Sequence, residues 1–226
     1  MPSTILVTGG AGYIGSHTVV ELMKEGHHII IADNLSNSAA SVVDRIEKIT
    51  GTRPIFYKEG ICNAAAVEKI FSSHSIDVVI HFAAYKSVSE SVKEPLRYFR
   101  NNLLSLLNIL QAMQRHQVQN IIFSSSATVY GQPEALPVTE PSPFKKALSA
   151  YGSTKQMGEE ILEKVCVASS IKNISLRYFN PVGAHGSALI GELPTGTPNN
   201  LFPYITQAAA GKLGQLTIFL QRLRYA

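Results

Sequence analysis

The sequence has little of what would mark a metal protein, a disulfide scaffold, a nucleic-acid binder or a membrane protein. It holds two cysteines in 226 residues, Cys62 and Cys166. They are too few and too isolated for a zinc site or a disulfide framework and read as free thiols. The seven histidines show no ligand spacing, so no metal is expected. Charge is sparse at 16%, with 20 basic against 16 acidic residues and a formal net of +4. No basic run exceeds Lys145-Lys146, which excludes the basic stripe that nucleic acid needs. No apolar run approaches the ~20 residues of a membrane span. The opening MPSTILVTGG lacks the basic and apolar regions of a secretory signal. These absences lead to the expectation of a cytoplasmic protein with no nucleic-acid or membrane partner. The 45% hydrophobic content suits a packed core rather than disorder.

What is present is alternation. Short β-branched runs at Thr4–Thr8, His28–Ala32, Pro54–Lys58, Asp77–His81, Asn120–Ser124 and Ile174–Tyr178 read as strands. Between them, Tyr13–Glu25, Ala40–Thr50, Ala64–Ser72, Glu94–His116 and Tyr151–Ala168 read as helices. The strands are continuous apolar runs, the pattern of strands buried on both faces. The expected fold is therefore α/β, a doubly wound parallel sheet of Rossmann type. After about Pro181 glycine and proline become frequent, followed by a helix-like Asn200–Gly211 and a strand-like Leu216–Phe219. This divides the chain into a nucleotide-binding domain, 1–181, and a small, incomplete C-terminal portion, 182–226, too short for a core of its own.

The first strand runs into Gly9-Gly10-Ala11-Gly12-Tyr13-Ile14-Gly15. Glycines at 9, 12 and 15 permit a tight turn, close backbone approach to a pyrophosphate and close helix–strand packing. The helix starting near Tyr13 aims free N–H groups and its positive end at the same place. Asp33 ends the second strand, 18 residues after Gly15. A carboxylate there accepts from ribose hydroxyls and repels a 2′-phosphate, favouring NAD over NADP. Tyr151 and Lys155 are four apart on one helical face. A lysine ammonium beside a phenol is expected to lower the phenol pKa, fitting it for acid–base work near neutrality. Ser124-Ser125-Ser126 lies at the carboxyl end of the fifth strand, where active groups of such sheets gather. Read this way, the residues point to an NAD-dependent enzyme acting on a carbinol; oxidation, epimerisation and dehydration stay open.

At these residues the chain resembles the UDP-glucose 4-epimerase family of the extended short-chain dehydrogenase/reductase superfamily. The motifs are VTGGAGYIGSH (7–17), ADNLSNS (32–38), VIHFAAYKSVSESV (79–92), FSSSATVYG (123–131), YGSTK (151–155), LRYFNPVGAH (176–185) and PNNLFPYI (198–205). The resemblance covers the chain from about Ile5 to Phe219. The acidic pair of related dehydratases is replaced by Ser126-Ala127-Thr128. The resemblance implies NAD as cofactor. Tyr13 and Ile14 would contact the pyrophosphate, and Asp33, Asn34, Asn37 and Ser38 the adenosine ribose. Phe82, Ala83, Ala84, Lys86, Asn101 and Phe179 would line the cofactor. Ser126, Tyr151 and Lys155 form the implied catalytic group, and Thr128, Asn180, Asn200 and Leu201 join the contacts to UDP-glucose or UDP-galactose. The implied reaction oxidises C4 to a 4-keto sugar and reduces it again from the opposite face. The implied assembly is a homodimer.

Two departures stand out. Gly60 occupies the place where the family has an Asp toward the adenine amino group, a loss expected to weaken cofactor binding without abolishing it. The resemblance also stops after Phe219: Leu220–Ala226 (LQRLRYA) does not match, and the chain is expected to be truncated relative to the family. Leu201, Phe202, Tyr204, Ile205, Leu216, Ile218 and Phe219 would then be partly exposed, favouring self-association. Two alternatives stay open: a catalytically dead NAD-binding remnant, and a related sugar-nucleotide dehydratase or dehydrogenase.

Overall fold

Residues 1–193, 198 and 200–214 are described by a computed structural model. Six strands form one parallel sheet: β1 (Thr4–Thr8), β2 (His28–Ala32), β3 (Ile55–Tyr57), β4 (Val78–His81), β5 (Asn120–Ser126) and β6 (Lys172–Tyr178). The helices are α1 (Tyr13–Lys24), α2 (Ser41–Thr50), α3 (Ala64–Ser73), α4 (Val88–Lys93), α5 (Pro95–Arg115), α6 (Ala150–Ala168) and α7 (Leu201–Ala209). The spatial order is β3-β2-β1-β4-β5-β6. The chain winds outward from β1 to β3, returns to the other side of β1, and winds outward again. The strand order thus reverses between β1 and β4, and their carboxyl ends open the crevice in which such sheets bind ligands.

Period-two alternation along a strand sends neighbours to opposite faces. Leu6, Ile30 and Ile121 pack with Ile70, Leu106, Ile109, Met113 and Leu162 of α3, α5 and α6. Ile5, Val7, Ile29 and Ile31 pack on the other face with Val19, Val20 and Ile46 of α1 and α2. Both faces are covered, which is why the inner strands read as continuous apolar runs. The outermost strand departs from that expectation. β6 pairs with β5 on one side, and Ile174 is 61% exposed. β6 alternates exposed and half-buried residues and is not buried on two faces.

The expected helix Glu94–His116 has a short partner that the pattern did not show. α4 precedes α5, capped by Ser87, whose Oγ accepts from Glu90 N. Pro95 opens α5 at a position where its missing N–H costs nothing. β5 also runs two residues further than expected, to Ser126, and passes into a 3₁₀ turn, Ala127–Tyr130. After Pro181 the chain folds back on the first layer. Ile190 is buried in the α1–α2 core, and Arg45 Nη1 donates to Leu189 O at 3.2 Å. On α7, Leu201, Phe202 and Ile205 are exposed. The expected strand Leu216–Phe219 lies outside the described residues. Among those described, no helix is long and apolar enough to cross a membrane.

Candidate active site

The crest between β1 and α1 is backbone packed on backbone. Gly9 has φ +71, and a Cβ there would lie 2.8 Å from Ala83 N. A Cβ on Gly15 would lie 2.3 Å from Gly9 O and 2.8 Å from Gly10 Cα. Only glycine fits either position. Gly12 caps α1 with extended backbone, no side chain caps the helix, and no acidic residue occupies its first turn. The amino end at Tyr13 and Ile14 is left for an external anion, as a phosphate cradle requires.

Asp33 is buried and holds the crest from below. Its Oδ2 accepts from Ala11 N at 3.1 Å. Its Oδ1 accepts from Leu35 N at 2.8 Å and Ser38 Oγ at 3.0 Å. The carboxylate expected to meet a ribose is therefore also the strut that orders the glycine turn. Asn34 and Asn37 are exposed beside it.

Phe82, Ala83 and Ala84 follow β4 across the crevice from the glycines, and Phe82 N donates to Thr8 O at 3.0 Å. Beneath them lies a residue that the sequence reading missed. His81 is fully buried, 2.8 Å from Thr8 Oγ1 through Nδ1 and 3.4 Å from Ser105 Oγ through Nε2. Burial, helped by the charge of Lys155, lowers its pKa to about 3. The folded protein thus keeps His81 neutral, while an unfolded chain protonates it below about pH 6.5. Its contribution to stability is whole above pH 6.5 and is lost as the pH falls toward 3. At 1.36 kcal/mol per pKa unit this group is expected to cost about 2 kcal/mol of stability between pH 7 and pH 5. Urea unfolding at the two pH values measures it. His81→Asn is expected to remove that part of the loss, and a midpoint in the parent that ignores pH would contradict it.

Across the sheet, α6 brings Tyr151 and Lys155 over the end of β5. Ser149 Oγ caps the helix, accepting from Gly152 N at 3.1 Å. Lys155 is buried, donates to Ser124 O at 2.6 Å and stands 5.7 Å from the centre of the Tyr151 ring. Burial lowers its pKa to about 8. The Ser126 side chain neighbours the Tyr151 phenol and favours its ionised form. The expected depression of the phenol is not what the structure gives. Burial is the largest influence on Tyr151 and raises its pKa, with Ser126 opposing. Removal of water from the ring outweighs the opposing influence of Ser126. Ser126 Oγ also accepts from Thr128 N at 3.2 Å, and Thr128 Oγ1 is buried with no protein partner.

Sequence reasoning also missed two connectors. Asn102 is buried; its Nδ2 donates to Tyr85 O and Thr154 Oγ1, both at 3.1 Å, and its Oδ1 accepts from Tyr85 N. It ties the segment after β4 to α5 and α6. Asn101 Nδ2 donates to Asn102 Oδ1 at 3.0 Å. Glu192 joins two predicted residues: its Oε1 accepts from Lys86 Nζ at 3.2 Å and from Asn200 Nδ2 at 2.7 Å. Phe179, Asn180 and Leu201 are exposed. A broad open groove lined by Lys164, Val167, Ile171 and Leu176 runs along α6 and β6. It reaches Tyr130, Arg177 and Phe179 at the carboxyl end of β6.

The chain matches the family described as "NAD dependent epimerase/dehydratase family" over residues 5–222. It is 50% identical over 217 residues to the UDP-glucose 4-epimerase of Yersinia enterocolitica, covering 96% of this chain and 65% of that protein. It is 51% identical to the enzyme of that name from Bacillus subtilis over 216 residues, 95% of this chain and 63% of that protein. The chain thus spans a little under two thirds of these relatives. The Bifidobacterium longum UDP-glucose 4-epimerase, solved with NAD+ and UDP, superposes with a TM-score of 0.93 at 48% identity. That match covers 94% of this chain and 64% of the other. The Stenotrophomonas maltophila enzyme, solved with NAD and formylated UDP-arabinopyranose, gives 0.92 at 51% identity, covering 96% and 65%. With the glycine crest, the reversal of strand order and the Ser126–Tyr151–Lys155 group in place, the chain belongs to the NAD-dependent epimerase/dehydratase family.

Proposed function

We propose that this chain binds NAD and interconverts UDP-glucose and UDP-galactose through a 4-keto sugar. The observation that carries the reading is the Tyr151 phenol beside Ser126, with the Lys155 ammonium 5.7 Å from its ring, at the end of the sheet where the glycine crest also lies. The cofactor fits the residues present. Gly9 and Gly15 let the turn pack backbone to backbone against the segment after β4 and against the start of α1, and the uncapped start of α1 supplies donors for a pyrophosphate. When bound, NAD supplies reversible hydride acceptance. The protein's own part is proton handling: Ser126 holds the sugar oxygen, Tyr151 accepts and returns its proton, and the Lys155 charge stabilises the phenolate that forms. Lys86 and Asn200, joined through Glu192, would close the side of the site toward the nucleotide sugar. The deciding experiment incubates the purified chain with UDP-galactose and NAD and follows UDP-glucose. Its appearance supports the reading, and its absence with NAD demonstrably bound overturns it for this chain.

The departure at Gly60 gives a separate test. A Cβ there meets only Asn34, at 3.6 and 3.7 Å, ordinary contact distances. Gly60→Asp is therefore expected to fold normally. If the added carboxylate accepts the adenine amino group, as the resemblance implies, NAD should bind roughly 2- to 10-fold more tightly, the worth of one hydrogen bond. Calorimetric titration reads this, and unchanged or weaker binding would count against the placement of the adenine.

A further inference from the structure

The acid–base helix carries a third residue on the same face. Tyr151, Lys155 and Glu159 follow at intervals of four along α6. Each engages one of the three consecutive serines that end β5. The Tyr151 phenol neighbours Ser126, Lys155 Nζ donates to Ser124 O at 2.6 Å, and Glu159 Oε1 accepts from Ser125 Oγ. Glu159 is held from the other side by Arg177 of β6. Arg177 Nε donates to Oε1 at 3.0 Å and Nη2 to Oε2 at 2.7 Å, a two-pronged pair. Arg177 Nη1 donates to Tyr130 Oη at 2.9 Å and Glu140 O at 3.0 Å. Its guanidinium lies over the Phe144 ring at 4.7 Å. One ion pair thus joins α6, β5, β6, the turn that follows Ser126 and the segment that leads back into α6. The two side chains are only 22% and 11% exposed, so the pair is shielded from the screening that makes surface ion pairs weak.

We infer that the Glu159–Arg177 pair is a positioning device: it sets the rotation of α6 against the end of β5 and thereby holds the Tyr151 phenol beside Ser126. Glu159 lies two turns from Tyr151, about 12 Å along the helix axis, so it acts through the helix and not on the reacting atoms. The catalytic consequence rests on the reading of Tyr151 as the acid–base group. The positional claim does not, and its test needs no turnover.

The chain is prepared with 3-fluorotyrosine, which titrates below tyrosine. The fluorine resonance of position 151 is identified by its absence from Tyr151→Phe. The test variant combines Glu159→Gln with Arg177→Met, which removes the pair without changing the net charge. The expected result is a rise of about half a pH unit or more in the titration midpoint of position 151, because the influence of Ser126 that favours the ionised phenol is lost. Arg177→Lys, which keeps one contact, should shift it less. Glu163→Gln, one turn further along α6 and exposed, should not shift it at all. A folded double variant that titrates with the parent overturns the proposal, as does an equal shift in Glu163→Gln. If the double variant does not fold, Ser125→Ala removes a single hydrogen bond of the same junction and is judged by the same outcomes. Conversion of UDP-galactose by the parent is assayed alongside. Its absence refutes the functional reading and leaves the titration result standing. Where turnover is present, the double variant should lose roughly 10- to 100-fold in kcat with KM little changed.

Discussion

Tyr151→Phe is expected to lower the rate of UDP-galactose conversion by about 10²- to 10⁴-fold, the usual worth of a positioned acid–base group, while NAD binds as before. The substitution removes one oxygen and leaves the ring, so the packing of α6 against β5 is kept. What disappears is the phenol oxygen beside Ser126, with Lys155 close to the ring. The raised pKa of Tyr151 sharpens the expectation. Burial keeps the phenol protonated near neutrality in the free protein, so its ionisation during turnover should be helped by positive charge close by, and Lys155 Nζ stands 5.7 Å from its ring. Lys155, with its pKa lowered to about 8, still carries that charge at pH 7. Activity should therefore fall as Lys155 neutralises above about pH 8. Two measurements check this together: the conversion rate of the variant, and its NAD affinity by titration. Full activity in Tyr151→Phe would remove Tyr151 from its assigned role; loss of NAD binding would show that the ring, not the oxygen, carried the effect.

Gly15→Ala is expected to break the cofactor cradle outright. The added methyl would lie 2.3 Å from Gly9 O and 2.8 Å from Gly10 Cα. Both obstacles are backbone, so no side chain can swing away. The start of α1 would have to lift from the turn, and the Asp33 bond to Ala11 N holds that turn in place. Overpacking of this kind costs about 1–3 kcal/mol. If that distortion falls on the binding site, NAD affinity drops roughly 10- to 100-fold. Gly12→Ala is the milder comparison. Its methyl would meet only Gly9 O at 3.1 Å, on a backbone that any residue adopts. Titration of NAD into both variants, with thermal unfolding as a control, separates the two. Equal, parental affinity in Gly15→Ala would show that the crest does not touch the cofactor.

The features legible in the linear sequence are those whose physical cause is local. Gly9, Gly12 and Gly15 answer a steric demand confined to one turn. Tyr151 and Lys155 share a face because helix geometry places residues four apart together. The continuous apolar runs of β1, β2, β4 and β5 follow from burial on two faces, and the alternation of strands and helices fixes a parallel sheet. Other features depend on residues far apart in the chain. His81 meets Thr8 across 73 positions, Glu192 meets Lys86 across 106, and Asn102 reaches Thr154 across 52. No spacing rule marks such pairs, because chain folding creates their proximity. The second duty of Asp33, under Ala11, appears only once β2 lies beside β1. The exposure of Ile174 follows from β6 being outermost, a fact of strand order that its composition does not carry. The Tyr151 phenol shows the same limit: adjacent charge predicts a lowered pKa, yet tertiary packing removes water from the ring, and that desolvation sets the direction.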